Sequence, residues 1–449
     1  RAVRGPSLVI EDVPLAIERD LWISTDGSYK AAVKRWRVKT GARAALGGDE
    51  APPDWSPAEP VTAVDLTPYE PVDRDTLRNI AIEASARLRD IDGLRHGEVR
   101  ARAIDGRYYL VTSDGTRLAQ PDGYAVIYAW ADLLREDGVQ VYDRRQWVAR
   151  TAAEFPTLEV IADEVEAMGH SVVARSVSEP VEYYEGPVVF EGAAAADLVR
   201  YLATPEVCGT PPPPQAGRTY QQQTRQGPRI GRRLMPAGWS VVDDPGRDVD
   251  GLPGGFRFDL EGVSAQPVNL VDDGYVRDLL LTRVPRAERI GSNGHARGLL
   301  TGDWAARLSV WEVRADRNVS TGAFQRQVAR TMKGAGLDRI LVVRGLQAGK
   351  AGSLPRPTDA VWLADDGSEQ PALSLQFSAS DRRTLRDIVA AGGGQQVHPY
   401  LDAWSVSGKV EGDAGLPTVL IAPTRLLVED LELVFPGPSE RPHALPPPG

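Results

Sequence analysis

The sequence predicts an α+β fold, in which an N-terminal antiparallel sheet with helices is followed by a C-terminal β-rich, barrel-like domain. Apolar residues recur at helical spacing at several places in the first half of the chain. Asp-Gly pairs in the same half separate runs of strand-forming residues, which is typical of antiparallel hairpins. From Ala237 onward, strands with tight turns outnumber helices. We therefore expect an extension and linker at residues 1–60, an α+β domain at 61–180 and a β-rich domain at 181–449.

Composition excludes several classes of protein. The chain has 449 residues, a formal net charge of −10 at pH 7 and a single cysteine, Cys208. The acidic balance argues against binding to nucleic acid or to an anionic membrane surface. One cysteine excludes an internal disulfide framework and any zinc site built from several cysteines. No apolar run reaches the length of about 18 residues that a membrane span needs, so we expect none.

The N-terminal region alternates between predicted helices and strands. A strand candidate at Leu8–Ile10 precedes a helix whose apolar stripe includes Tyr29 and Trp36, and a helix capped by Asp73 or Asp75 ends near Asp92. A meander of antiparallel hairpins is predicted next, with strands at Glu98–Ala103, Arg107–Thr112, Tyr124–Leu134 and Val139–Trp147. A helix is predicted from about Phe155 to Gly169.

The C-terminal region contains more strands and one long irregular segment. Residues Thr204 to Pro236 are rich in Pro, Gly and Gln, which predicts a mobile surface loop or, alternatively, a lid or partner-docking segment. The other predicted elements are a strand at Pro187–Phe190, helices at Ala193–Leu202, Gly322–Lys333 and Asp381–Ala391, strands at Pro417–Ile421 and Leu426–Phe435, and a frayed tail at Pro436–Gly449.

A hairpin followed by a glycine-rich loop is the most distinctive stretch. Val268–Val271 and Tyr275–Leu281 flank Asp273-Gly274, a pair suited to a type I′ turn because both residues need positive φ. The polar loop Gly291–Gly298 follows and contains a histidine.

This stretch resembles the C-terminal domain of the TldD/TldE (PmbA) peptidase family. The resemblance rests on Asp259-Leu-Glu-Gly-Val-Ser-Ala-Gln-Pro267, then Leu270 to Arg283, then Gly291 to Gly298, and it covers roughly Pro187 to Leu433. It implies one of two subunit types. TldD is a zinc peptidase with an H-E-x-x-x-H motif on the helix after a Gly-Pro-Val-Leu-Phe strand and a cysteine near its C-terminus. TldE lacks these ligands and pairs with TldD.

The resemblance implies that this chain is of the second type. The strand reads Gly186-Pro-Val-Val-Phe190, and the motif positions on the next helix fall on Arg200, Tyr201 and Pro205, with Ser407 at the cysteine position. Arginine and proline offer no lone pair to zinc, and a serine hydroxyl is a weak ligand beside a thiolate. Tyrosine is a poor substitute for the carboxylate that takes a proton from zinc-bound water. We therefore expect no catalytic residue and no metal in this chain, and zinc in a partner subunit.

Histidines and a pair of carboxylates offer other candidate sites. The histidines are His96, His170, His295, His398 and His443, and a metal site formed by His295, His398 and a carboxylate stays open as an alternative. His295 can contact peptide or a partner, or it can fix its loop by hydrogen-bonding the backbone. Alternate residues of a strand share a face, so Asp259 and Glu261 can form an acid/base pair, although the resemblance favours a structural role. The candidate peptide-binding or interface residues are Asn293, Gly294, His295, Arg297, Asp259 and Glu261.

The predicted function is that of a non-catalytic, TldE-like subunit of a zinc metallopeptidase complex. It would form a chamber for unfolded peptide with a TldD-like, zinc-bearing partner. The alternatives are a peptide-binding protein acting alone or as a homodimer, and a peptidase with an unrecognised site. The resemblance implies a cytoplasmic protein, but the first 60 residues resemble the longer, exported members, so the compartment stays open.

Overall fold

The structure is a computed structural model that describes most of the chain. The described residues are 13–45, 53–67, 73–211, 227–286, 288–298, 304–373, 375–402 and 415–437. The strand candidate Leu8–Ile10, residue Ser407, the central part of the predicted mobile loop (212–226) and nearly all of the predicted tail lie outside them.

The described elements follow in chain order. The helices are α1 (Pro14–Ala45), α2 (Arg74–Arg89), α3 (Leu158–Ser176), α4 (Ala193–Val207) and α5 (Thr321–Gly334), with 3₁₀ turns at Ala152–Glu154 and Arg382–Asp387. The strands are β1 (Thr62–Val64), β2 (His96–Ile104), β3 (Arg107–Val111), β4 (Arg117–Pro121), β5 (Tyr124–Leu134), β6 (Gln140–Ala149), β7 (Tyr183–Glu191), β8 (Trp239–Asp243), β9 (Val268–Asp272), β10 (Tyr275–Val276), β11 (Ala296–Arg297), β12 (Ala305–Ala306), β13 (Val310–Ala315), β14 (Asn318–Val319), β15 (Arg339–Leu346), β16 (Pro357–Ala364), β17 (Glu369–Pro371), β18 (Gln376–Phe377), β19 (Ile388–Asp402) and β20 (Leu416–Val434).

Two small sheets precede the large one. The antiparallel sheet β2-β5-β6 is covered on one face by α2 and α3, and the second sheet has the order β1-β4-β3. Helix α2 begins where the Asp73 side chain accepts a hydrogen bond from the Asp75 amide, as its capping residues predicted. The predicted hairpin across Asp105-Gly106 is wrong, because β2 pairs with β5 whereas β3 pairs with β4, a strand that the sequence analysis missed.

The C-terminal region is organised around β20 rather than closed into a barrel. Within the described part of the chain, one mixed sheet has the order β10-β9-β8-β13-β20-β7-β15-β16-β17, and β19, β18 and β14 branch from it. Strand β20 is parallel to β13 and antiparallel to β7 and β19. The two ends, β10 and β17, do not pair with each other, so the predicted barrel is corrected to a large open sheet.

Helices cover both faces of this sheet near its centre. Successive residues of a strand point to opposite faces. Accordingly Val188 and Phe190 of β7 belong to the core on the α4 side, whereas Val189 packs with Phe324 and Val328 of α5 on the other side. Helix α4 therefore lies in the largest hydrophobic core of the described structure.

Two predicted elements in the C-terminal region need correction. Asp381–Ala391 is not a helix: a short 3₁₀ turn ends at Asp387, and Ile388 begins β19, which pairs with β20. The glycines that follow the predicted helix, Gly392–Gly394, form an irregularity in that pairing, and Gly393 and Gly394 have positive φ. The two predicted strands after Pro417 are one continuous strand, β20.

The predicted N-terminal helix is present but does not bury its apolar stripe. Tyr29 and Trp36 of α1 are 68% and 61% exposed. No helix among the described residues combines the length and apolar character needed to cross a bilayer.

Candidate functional site on helix α4

Helix α4 carries the positions to which the sequence analysis assigned the missing metal ligands. It starts after Gly192, whose φ of +60° favours glycine. Small residues such as Ala194–Ala196 let the helix lie close to β7, β15 and β20, and most of its residues are buried. A charged side chain on this helix must therefore find a partner within the protein.

Arg200 is held by a carboxylate and two aromatic rings. Its Nε lies 3.1 Å from Oδ1 of Asp197, one helical turn earlier. Its guanidinium carbon is 4.4 Å from the ring centre of Tyr201 and 4.5 Å from that of Tyr400, so the cation lies against two π faces. His398 Nε2 is 3.6 Å from the same Asp197 oxygen.

Both members of this pair are charged at neutral pH. Burial alone would raise the pKa of Asp197, but the charge of Arg200 and the contact with His398 lower it to about 2. Burial likewise opposes the charge on Arg200, yet the attraction of Asp197 raises its pKa above the usual range. The site thus contains a permanent internal ion pair.

Tyr201 and Pro205 anchor the loop between β15 and β16. The Tyr201 hydroxyl donates to the Gln347 carbonyl (3.1 Å) and accepts from the Gly349 amide (3.2 Å). Proline has no N–H, so Pro205 leaves the Tyr201 carbonyl without its helical donor. The Gly352 amide takes that place at 2.7 Å.

The sequence analysis ended this helix at Leu202 and did not predict its contacts with the β15–β16 loop. The helix continues through Pro205 to Val207, and Cys208 and Gly209 then contact Leu280. The first residues of the predicted mobile segment are therefore ordered helix. The available signal was Pro205 inside a helical pattern, which leaves one helical carbonyl without its usual donor.

The residues on α4 do not fit a catalytic zinc ion. The guanidinium of Arg200 has no lone pair to donate, and its positive charge already compensates Asp197. The Tyr201 hydroxyl donates its proton to Gln347 and accepts from Gly349, so it is held by the β15–β16 loop, and Pro205 has no side-chain atom that could bind a metal. Across the described ranges, no group of three or more His, Cys, Asp and Glu side chains is arranged to hold a metal, so the alternative site at His295 and His398 is not formed.

The predicted peptide-binding residues come together in a second, buried cluster. Asp259 and Glu261 do not share a strand face, because they lie in the turn between Phe258 and Ser264. The Asp259 carboxylate accepts hydrogen bonds from the amides of Glu261, Val263 and Ala296, each at 2.9 Å. These bonds tie the turn to the glycine-rich loop.

His295 lies at the centre of this cluster and has no exposed surface. Its Nε2 is 3.1 Å from Oδ1 of Asp243, and its Nδ1 is 3.0 Å from both the backbone and side-chain oxygens of Asn293. Asn293 itself binds the backbone of Leu279 and Leu281. The geometry matches the interpretation that His295 fixes its loop.

Arg297 and Gly294 complete the cluster. The Arg297 guanidinium donates to the backbone carbonyls of Leu308 and Pro417, which joins the loop to the start of β20. A Cβ atom on Gly294 would lie 2.4 Å from the Ser264 carbonyl oxygen, so only glycine fits there.

The two carboxyl groups of the cluster hold protons more tightly than usual. Burial raises the pKa of Glu261 to about 7, opposed by its bond from the Arg283 amide and assisted by the charge of Asp259. Burial also raises the pKa of Asp259 to about 6, against the effect of its three amide donors. Neither group faces an open cleft, since Asp259 is 1% and Glu261 8% exposed.

Comparison with known families identifies the C-terminal region. Residues 184–427 match the model described as "PmbA/TldA metallopeptidase C-terminal domain". The chain belongs to this family. The match spans more than half of the chain and includes β7, helix α4 and the buried cluster around His295. The matched range contains Arg200, Tyr201 and Pro205, the positions to which the sequence resemblance assigned the motif ligands.

Solved structures share the fold over most of the chain. TldE from Thermococcus kodakarensis has a TM-score of 0.55 at 16% identity, and 85% of this chain and 81% of that chain are covered. A Thermotoga maritima structure named "putative modulator of a DNA gyrase" has a TM-score of 0.58 at 15% identity, with 84% and 79% covered. A Bacteroides thetaiotaomicron structure named "putative modulator of DNA gyrase" has a TM-score of 0.54 at 11% identity, with 85% and 76% covered. No curated protein matches this sequence.

Proposed function

We propose that this chain is a non-catalytic, TldE-like subunit of a TldD/TldE-type zinc metallopeptidase complex. In this complex it encloses a chamber for unfolded peptide together with a zinc-bearing partner. The observation that carries the proposal is the buried Arg200–Asp197 ion pair on α4, at the position that the motif assigns to a zinc ligand.

The ion pair argues against hydrolysis by this chain for an electrostatic reason. A catalytic zinc ion needs neutral or anionic ligands and a base that accepts a proton from bound water. Here a fixed cation occupies the first position, and the hydroxyl at the second is used to hold Gln347 and Gly349. The chain keeps the family's fold but lacks a zinc ligand and a base at these positions, which is consistent with a role in assembly and in peptide binding.

The cluster around His295 supports such a role indirectly. His295 and Arg297 join the glycine-rich loop to β8 and β20, and Asp259 joins it to the turn between Phe258 and Ser264, so they fix the shape of the wall from which a chamber would be built. We propose that the outer end of this loop, where Gly291 is exposed and Asn293 is half-buried, lies at the chamber or the interface with the partner, whereas Gly294 and the other members of the cluster are buried.

The test is reconstitution with the zinc-bearing family member from the same source. Cleavage of an unfolded peptide is measured for each chain alone and for the mixture, and we expect full activity only in the mixture. Full activity of this chain alone, or of the partner without it, would show that the proposal is wrong.

Two variants test which of the two subunits carries the catalytic residues. Tyr201→Phe removes the hydroxyl at the glutamate position of the motif, and we expect kcat of the reconstituted complex to be unchanged. The matched control changes the motif glutamate of the partner to glutamine and is expected to abolish cleavage. A loss of kcat in the Tyr201→Phe complex, with the partner still bound, would assign catalysis to this chain.

A further inference from the structure

The N-terminal sheet has an open edge beneath a helix. Strand β2 pairs with β5, and no other strand in the described part of the chain pairs with it. Helix α3 packs over β5 and β6, whereas α2 packs over β2 at the edge. The unpaired backbone edge of β2 therefore lies next to the outer side of α2.

A groove of about 490 Å³ lies between α2 and this edge. Its strand side is formed by Val99, Ala101 and Ala103, which alternate along β2 and so share a face. Its helix side includes Leu77, Ala81 and Ile82. Ile82 is 54% exposed, so the groove leaves a large apolar side chain uncovered.

Basic side chains lie at one end of this groove and on the opposite face of β2. Arg74 and Arg78 on α2 line one end of the groove, and none of the lining residues is acidic. On the opposite face of β2, Arg100 and Arg102 are exposed, and Arg100 pairs with Glu98 of the same strand at 2.8 Å. A basic edge is notable in a chain whose net charge is −10.

We propose that this edge binds an extended peptide segment in which apolar residues alternate with acidic residues. The segment adds to β2 as a further strand. Its apolar side chains enter the groove under α2, and its carboxylates lie beside Arg100 and Arg102. This site is independent of the proposed subunit function, because it lies in the N-terminal sheet and not on α4.

The physical basis is strand addition. An exposed edge offers a row of unpaired backbone N–H and C=O groups, which give affinity without sequence preference. Specificity then comes from the alternating side chains, because an added strand directs successive residues to opposite faces. Here one face presents Ile82 and Val99, and the other presents the guanidinium groups of Arg102 and of Arg100, the latter paired with Glu98, which favours an alternating acidic and apolar pattern.

The experiment measures fluorescence anisotropy of labelled nine-residue peptides, matched to the nine residues of β2. The probe alternates Val and Glu. One comparison peptide alternates Val and Lys, and another has the Val/Glu composition in blocks. We expect the full chain to bind the alternating Val/Glu peptide at least about tenfold more tightly than either comparison, a difference of about 1.4 kcal/mol. Equal binding of all three would overturn the proposal.

Matched variants place the peptide on this edge. Arg78→Glu and Arg102→Glu are expected to weaken binding of the Val/Glu peptide by about fivefold or more, since each reverses a charge beside the bound strand. Arg89→Glu is the control, because Arg89 is exposed on the same helix but does not line the groove. Ile82→Asp should also weaken binding, while Val160→Asp on α3 should not.

Two outcomes would contradict the assignment. Binding that is unaffected by Arg78→Glu, Arg102→Glu and Ile82→Asp would place the peptide elsewhere. If instead the chain self-associates and Arg102→Glu abolishes that association, a second copy occupies the edge, and the peptide assignment is wrong.

Discussion

Arg200 and Asp197 form an ion pair inside the largest core of the described structure, with Nε and Oδ1 3.1 Å apart. The guanidinium lies between the rings of Tyr201 and Tyr400, and Trp311 donates to the Tyr400 hydroxyl at 3.2 Å. The pair thereby joins α4 to β19 and β13. A position that the family resemblance assigns to a metal ligand instead carries a structural cation.

Replacing Arg200 should destabilise the fold strongly. Arg200→Met leaves the Asp197 carboxylate buried without its partner, and we expect the free energy of unfolding to fall by about 3–5 kcal/mol. Urea unfolding followed by circular dichroism measures the change. The matched control is Arg87→Met, which breaks the exposed pair between Arg87 and Glu166 and should cost less than about 1 kcal/mol. Equal effects of the two substitutions would contradict a structural role for Arg200.

Removing the Tyr201 hydroxyl should loosen one part of the β15–β16 loop. In Tyr201→Phe the Gly349 amide loses its acceptor, whereas the Gly352 amide keeps its bond to the Tyr201 carbonyl. We expect faster hydrogen exchange at Gly349, little change at Gly352 and a stability loss of about 1 kcal/mol. Exchange measured by NMR distinguishes the two amides. Unchanged protection at Gly349 would show that the hydroxyl does not hold the loop.

The glycine-rich loop offers a matched pair of alanine substitutions. Gly294 has a φ of +76°, and a Cβ atom there would lie 2.4 Å from the Ser264 carbonyl oxygen, whereas a Cβ atom on Gly291 meets nothing within 4 Å. We expect Gly294→Ala to lower the free energy of unfolding by more than about 2 kcal/mol and Gly291→Ala to change it by less than about 0.5 kcal/mol. Thermal unfolding of both variants checks this. Similar melting temperatures would mean that the loop relaxes around Gly294.

Stability should decrease with rising pH because of Glu261. Its folded pKa is raised to about 7 from 4.5, so between these values the folded state binds more protons than the unfolded state. The neutral form is favoured in the fold, so stability is lost as the pH rises from about 4.5 to about 7, and Glu261 causes no further loss above about pH 7. Glu261→Gln keeps an acceptor for the Arg283 amide but cannot ionise. We therefore expect the free energy of unfolding of this variant to exceed that of the native chain by about 1–3 kcal/mol at about pH 8 and to differ little at about pH 5.

Asp259 titrates in an overlapping range, since its pKa is raised to about 6, so part of the pH dependence should persist in the Glu261→Gln variant. Urea midpoints for both proteins at the two pH values provide the measurement. A gain that is the same at both pH values would show that Glu261 has an ordinary pKa in the fold.

Local signals predicted a large part of the fold. Asp73 caps α2, Phe324 and Val328 bury one stripe of α5, and Asp273 and Gly274 both have the positive φ that the hairpin requires. These features depend on neighbouring residues, so the sequence carries them directly.

Long-range pairing explains the predictions that failed. Ile388 lies at helical spacing from Leu385, but β19 pairs along β20 for most of its length, and that ladder outweighs the local pattern. Whether the sheet stays open or closes into a barrel likewise depends on which strands pair at its two edges.

The candidate site was predictable only in part. The family motif pointed to Arg200, Tyr201 and Pro205, and the structure places them on one helix. Their partners Tyr400 and Gly352 come from β19 and from the β15–β16 loop, and no spacing in the sequence links them to α4. Likewise His295 reads as a loop histidine, and only the fold reveals its buried contact with Asp243.

Zinc content is the most direct test of the central claim that α4 carries no metal site. The chain is purified alone, incubated with zinc, desalted and measured by elemental analysis, with the proposed zinc-bearing partner treated identically as the positive control. We predict no zinc above background for this chain and about one zinc per chain for the partner. About one zinc per chain in this protein, lost on Tyr201→Phe or Ser407→Ala, would contradict the account.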